Sequence, residues 1–198
     1  MKKKKFVLAT KNQHKADEIR KILGEEFEII TQTEAGVGDI EVIEDGDSFE
    51  ANATKKAITI MEATNLPTIA DDSGLCVDYL GGEPGIYTAR YAGENASDSD
   101  NIKKLLCELE GVPPQDRNAK FVCVMAVAIP CKKIQIFRGE CSGRITDEKM
   151  GESGFGYDPI FYAVQYGKTM AELEPHIKNA ISHRSKACNR MAESLKKY

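Results

Sequence analysis

The sequence predicts an α/β protein built on a mixed β-sheet, and three observations carry that expectation. Short apolar runs alternate with amphipathic helical patterns through the first half of the chain. Two longer β-rich runs follow, at 120–130 and 133–141, with only turn material around 130–133 between them. The 198 residues are 41% hydrophobic, enough for one compact domain with a real core. Strand–helix alternation favours parallel neighbours and a hairpin requires antiparallel ones, so the sheet is expected to contain both.

Taken in order, residues 4–9 read as a first strand and 10–15 as a polar connection. Ile19, Ile22 and Leu23 then share one face of a helix over 14–23, and 27–30 is a short second strand. The acidic, glycine-punctuated stretch 31–47 reads as loop. Ser48 is placed to cap an alanine-rich helix that runs to about Thr64. The apolar run 67–70 is expected to be a strand that ends abruptly at Asp71-Asp72-Ser73-Gly74, with another strand at 75–79 and a turn at 81–85. Ile102, Leu105, Leu106 and Leu109 form the buried stripe of a helix over 98–109. After the β-rich pair come a glycine-rich loop at 151–158 and a closing helix over 182–197. No internal repeat or low-complexity linker interrupts the chain.

Charge and cysteine usage narrow the function. Asp and Glu total 31 against 27 Lys and Arg, a net charge of -4, so phosphate must be held by a local cluster and general nucleic-acid binding is not expected. The six cysteines form no C-x-x-C pair, and a mixed zinc site would have to draw on His14, His176 and His183, the protein's whole supply. They read as reduced structural thiols of a cytoplasmic protein. The basic run at 2–5 is followed by only four apolar residues before Thr10, too short for a signal peptide, and no apolar stretch approaches a membrane span.

Four segments carry candidate chemistry. Thr10, Lys11, Asn12, Gln13, His14 and Lys15 leave a strand and enter a helix, where unsatisfied backbone N–H groups attract phosphate. The pattern is not a P-loop, and its plainer reading is a capped helix with a solvated lysine. Asp71 and Asp72 sit at the expected carboxyl end of a strand, where open α/β sheets place ligands. One can bind Mg²⁺ and the other can orient water, and the acidic stretch 41–47 can add a metal ligand. The plainer reading there is an Asx turn completed by Gly74.

Gly154-Phe155-Gly156-Tyr157-Asp158 sets two aromatics and a carboxylate among glycines, suited to stacking on a base and accepting from its N–H groups, or else to a tight turn with its rings in the core. Ser182, His183, Arg184, Ser185 and Lys186 open the last helix, and with Lys178 they can donate to an acceptor-rich base edge. A solvated basic helix start is the ordinary alternative.

At this point the chain resembles the inosine triphosphate pyrophosphatase family. Six blocks match in order: 10–15, Ser48-Phe49-Glu50-Ala51-Asn52-Ala53-x-x-Lys56-Ala57, 70–74, 81–90, 155–158 and 182–184. The resemblance implies a single domain over 1–198 with two lobes, a long mixed sheet flanked by helices, a cleft between the lobes and a homodimer. It implies Mg²⁺-dependent hydrolysis of non-standard purine nucleoside triphosphates (ITP, dITP, XTP) to the monophosphate and pyrophosphate.

By the same resemblance residues 10–15 and Lys56 hold the triphosphate. Asp72 is general base or Mg²⁺ ligand, Glu44 is preferred over Glu41 as the second ligand, and Ser73 contacts substrate. Phe155, Gly156, Tyr157, Asp158, Lys178, His183 and Arg184 line the base pocket. Position 11, commonly Gly in this motif, is Lys here. Two other readings stand beside this one: a pyrophosphatase for modified pyrimidine nucleotides, and a non-catalytic nucleotide- or RNA-binding protein.

Overall fold

The computed structural model describes residues 3–196, so Lys2 of the basic run and Lys197 of the expected last helix lie outside it. The chain runs β1 (Lys4–Leu8), α1 (Gln13–Leu23), β2 (Phe27–Thr31), α2 (Phe49–Thr64), β3 (Thr68–Val77), α3 (Asp98–Glu108), β4 (Asn118–Ala128), β5 (Gln135–Ile145), β6 (Phe161–Ala163), β7 (Lys168–Thr169), α4 (Pro175–Ile181) and α5 (His183–Leu195). The strands form one seven-stranded sheet in the order β2-β1-β3-β4-β5-β6-β7. β1 is parallel to both β2 and β3, whereas β6 is antiparallel to β5 and β7. The sheet is mixed and flanked by helices, as expected.

Local chemistry explains most boundaries. Asn12 caps α1 by accepting from the Lys15 N–H, and Ser48 caps α2 by accepting from the Ala51 N–H. Asn65 stops α2 in the left-handed region at φ 53. A capping box of Ser97 and Asp100 starts α3, whose Ile102 and Leu105 are buried, as is Leu109 just beyond its end.

One expectation fails. The strand expected to stop at 70 and the one expected at 75–79 are a single strand, β3, which passes straight through Asp71, Asp72, Ser73 and Gly74. No Asx turn forms, because both carboxylates find cationic partners within the fold and can stay in a buried strand. The short β6 and β7 and the seven-residue α4 were not anticipated either. Their lengths fall below what periodicity can register.

The chain divides into two units. The first comprises the described residues up to Asp72, Cys123–Gly139 and those from His183 onward; its core joins Phe6, Leu8, Ile19, Leu23, Ile69, Met125 and Met191. The second comprises Ser73–Val122 and Glu140–Ser182, with a core of Leu75, Val77, Leu105, Leu109, Phe161 and Met170 among others. None of the six cysteines is disulfide-bonded, and Cys123, Cys141 and Cys188 are buried. Among the described residues no helix is long and apolar enough to cross a membrane.

Candidate active site

The first unit gathers charge around β3. Successive strand residues point to opposite faces, so Asp71 and Asp72 meet different helices. Asp71 receives Lys15 of α1 at 3.0 Å and Arg184 of α5 at 3.6 Å. Arg184 is buried and also pairs with the buried Glu18, one helical turn beyond Lys15. Asp72 faces α2. There Asn52 and Lys56, one turn apart on that helix's buried stripe, both reach it at 3.3 Å. Lys56 also pairs with Glu44 at 3.0 Å, and the Asn52 side-chain oxygen accepts from the Gly46 N–H at 2.8 Å. That last contact ties the acidic loop to the same helix turn.

The two aspartates therefore titrate in opposite directions. Burial works to raise the Asp71 carboxyl, but Lys15, Arg184 and Lys56 together overcome it and hold the group well below the usual carboxylate range. Burial pushes Asp72 up to about 6; Lys56 opposes this, while the Glu44 and Asp71 charges add to it. For Lys56, burial would lower the ammonium's pKa, yet Asp72, Asp71 and Glu44 outweigh it and the group stays charged. Asp71 is thus a fixed anion and Asp72 a carboxylate that can take up a proton near neutrality.

Residues 10–15 run from just past the end of β1 into the start of α1. The Thr10 hydroxyl accepts from the Asn12 N–H at 3.1 Å, and Asn12 accepts from the Lys15 N–H at 3.1 Å. Gln13 is turned aside, donating to Asp17 at 2.7 Å. Lys11 and His14 are exposed, and Lys11 is not among the residues with positive φ, so lysine fits there without backbone strain. Glu44 is half-buried against Lys56 while Glu41 is exposed.

Could these side chains hold a divalent ion? Asp72 and Glu44 both direct oxygens at the one Lys56 ammonium, so two carboxylates already converge on a single cation-sized position. Mg²⁺ takes one or two carboxylates and completes its shell with water and phosphate oxygens, so this pair fits. Among the described residues no group of three or more His, Cys, Asp or Glu side chains is arranged for a metal.

The second unit holds the glycine loop. Asp158 is buried, accepts from the Phe155 N–H at 2.9 Å and pairs with Lys178 at 2.7 Å; the Lys178 ammonium lies 5.0 Å from the Phe155 ring centroid. Gly154 has φ +85, and a Cβ there would run into the Asp158 carboxylate. Of the two aromatics, Phe155 is half-buried, whereas Tyr157 belongs to the core and donates its hydroxyl to the Thr88 carbonyl at 2.9 Å. Ser73 opens this unit, half-buried on β3, and His183, half-buried, opens α5 in the first.

Comparison with known proteins places the chain in a family. The Ham1 family model matches residues 6–194. The chain belongs to the Ham1 family. It is 50% identical over 183 residues to a dITP/XTP pyrophosphatase of Desulfotalea psychrophila, covering 92% of this chain and 81% of that one. It is 46% identical over 191 residues to a dITP/XTP pyrophosphatase of Shouchella clausii, covering 96% of both. Among solved structures, the Ham1 protein of Staphylococcus aureus superposes with a TM-score of 0.89 at 46% identity, over 98% of both chains.

Sequence reasoning missed three residues that this Ham1 chain builds into its polar contacts: Glu18, Asn52 and Asp98, whose carboxylate accepts from the Gly156 N–H at 2.7 Å. Asn52 stood inside a quoted motif and shares the helical spacing of Lys56, a signal that was available. Glu18 occupies a buried stripe position on α1 beside Ile19, where a carboxylate already asks for a cation.

Proposed function

We propose that this chain hydrolyses non-standard purine nucleoside triphosphates, dITP, XTP and ITP, to the monophosphate and pyrophosphate. The observation that carries the reading is the β3 pair, one aspartate held ionised by Lys15 and Arg184 and the other poised near 6 beside Lys56 and Glu44. The printed names of the relatives supply the substrate class.

In this reading Asp72 acts as general base. It takes a proton from the water that attacks the α-phosphorus, the bond from that phosphorus to the bridging oxygen breaks, and pyrophosphate leaves. Lys15 and Lys56, with the N–H groups at the start of α1, balance the charge that builds on the leaving group. Asp71 keeps Lys15 and Arg184 in place and, with its depressed pKa, is no base. Glu44 would hold Mg²⁺, which when bound neutralises phosphate oxygens; if Asp72 joined it as a ligand, the metal's charge would depress its pKa and Asp72 would orient the water without taking its proton.

Base recognition is assigned to Phe155 by stacking and to Asp158 and Lys178 of the same unit by hydrogen bonding; His183 and Arg184, which the resemblance puts at the base, belong to the first unit, where Arg184 is buried against Asp71 and Glu18 and braces the β3 cluster. Tyr157 supports the loop from the core, and Ser73 is a further substrate contact. Donors aimed at the C6 oxygen of inosine or xanthosine meet an amino group in adenosine, and such a mismatch is worth on the order of 10⁴ in kcat/KM. The protein would work in the cytoplasm as a homodimer.

Pyrophosphate release from dITP, XTP, ITP, GTP, ATP and dUTP, with Mg²⁺ and with chelator, tests all of this. Release from dITP and XTP at least 10²-fold faster than from ATP, abolished by chelator, is expected. Preference for dUTP, or no release from any of the six, overturns the reading.

A further inference from the structure

The glycine loop has two consecutive backbone N–H groups that are each held by a carboxylate. The Phe155 N–H donates to Asp158 at 2.9 Å, and the Gly156 N–H donates to Asp98 at 2.7 Å. These amides lie in the peptide planes on either side of the Phe155 Cα. Each plane is rigid, so holding both leaves the Phe155 φ and ψ little freedom.

The two carboxylates differ in origin. Asp158 belongs to the loop itself and is occupied by Lys178. Asp98 is the first residue of α3, a helix anchored by its buried Ile102 and Leu105. Its role there is not explained by capping, because Ser97 and Asp100 already form the capping box. An acidic residue in a first turn also favours the helix dipole, but that effect does not require its carboxylate to be turned onto a loop amide. A second tie runs between the same regions: the Lys149 ammonium donates to Ser99 at 3.1 Å.

We infer that Asp98 is a positioning residue, which fixes the Gly156 peptide to α3 and so presets the half-buried Phe155 ring, above Lys178, for stacking on the substrate's base. The inference rests on the proposed function, which assigns that ring to the base. A charge-assisted hydrogen bond to a backbone amide is among the stronger contacts available at a surface. A ring already in its bound orientation spares the ordering that binding would otherwise require.

The test combines Asp98→Ala, Asp98→Asn and, as a control on the helix start, Ser97→Ala. Asp98→Ala is expected to raise KM for dITP about 5- to 10-fold, the loss of roughly one hydrogen bond's net contribution, with kcat within about twofold. Pyrophosphate, which has no base, should inhibit the variant and the unaltered protein equally. The Gly156 amide should exchange faster with solvent in Asp98→Ala, as read by NMR. Asp98→Asn keeps an acceptor oxygen and should restore most of the KM, and Ser97→Ala should lower thermal stability without raising KM.

An unchanged KM in Asp98→Ala overturns the inference. So does a rise matched by equal weakening of pyrophosphate, or by the same rise in Ser97→Ala. If the unaltered protein releases no pyrophosphate from any purine triphosphate, the functional reading falls and takes this inference with it. Turnover of dITP alongside an indifferent Asp98→Ala removes this inference alone.

Discussion

Burial acts in the same direction on Asp71 and Asp72, so their company decides how each titrates. Lys15 and Arg184 face Asp71 directly, whereas Asp72 shares Lys56 with Glu44. The Asp71 carboxyl is depressed, so the stability it contributes is present above its ordinary value of 3.8 and is lost as pH falls below it. Asp71→Asn should therefore cost about 3 kcal/mol at pH 7, since it leaves the buried Arg184 and the half-buried Lys15 with less compensation, and the deficit should narrow steadily below pH 3.8. Urea midpoints along a pH series measure this. Asp72 runs the other way. Its contribution is full below 3.8 and is lost as pH rises through about 6. Asp72→Asn, measured in chelator, should thus be no less stable than the unaltered protein at pH 8 and should lack the fall in stability between pH 4 and pH 7. Its kcat should drop by more than about 10²-fold, the lower range for removal of a general base. Retention of a third of the activity would remove Asp72 from that role. The sequence made both aspartates conspicuous but could not divide their labour. The division depends on which helix covers each face of β3, and that is a matter of packing.

At the scale of elements, the long, strongly patterned segments were legible: β1, α1, α2 and α3 lie within a residue or two of their expected bounds, because each has a clear apolar stripe or a capping side chain. The central strand was misread for an instructive reason. A carboxylate pair inside an apolar run looks like a strand end, since isolated charges do not stay buried, yet cations from three different helices make the interior of β3 habitable. Those cations come from distant positions, and nothing local announces them. The same holds for Gly139 on β5. A Cβ added there would strike the His183 carbonyl and the Ala187 amide of α5, so glycine is what lets this helix lie against the strand. Both obstructions are backbone atoms and cannot swing away. Gly139→Ala should destabilise the protein by about 1–3 kcal/mol, the usual range for overpacking. A urea midpoint equal to that of the unaltered protein would mean that α5 has room to retreat. The outcome bears on the site as well, because α5 carries Arg184.

Over the whole molecule the balance of charge is unfavourable for an anionic substrate. A net charge of -4 repels a triphosphate at long range, and the acidic stretch 41–47 adds to that locally. The cations of the β3 cluster are paired with carboxylates and largely enclosed, so they act on phosphate at contact more than at a distance. Lys11 differs from them in being exposed, and it lies at the entrance to α1, whose N–H groups carry partial positive charge of their own. Because its φ lies outside the left-handed region, lysine sits there without strain, and glycine would gain nothing by relieving any. The exchange of Lys11 for Gly should therefore change electrostatics and leave loop geometry alone. Attraction between an exposed ammonium and an approaching triphosphate weakens within about a Debye length of 10 Å at 0.1 M salt and reaches roughly three times farther at 0.01 M. Lys11→Gly is thus expected to raise KM for dITP severalfold at low ionic strength and much less at 0.5 M salt, with kcat nearly unchanged at both, since the chemical step depends on groups already in contact. Kinetics of the two proteins at two ionic strengths decide it. A large fall in kcat that salt does not alter would mean that Lys11 shapes the loop in the transition state, and the electrostatic account of this position would be wrong.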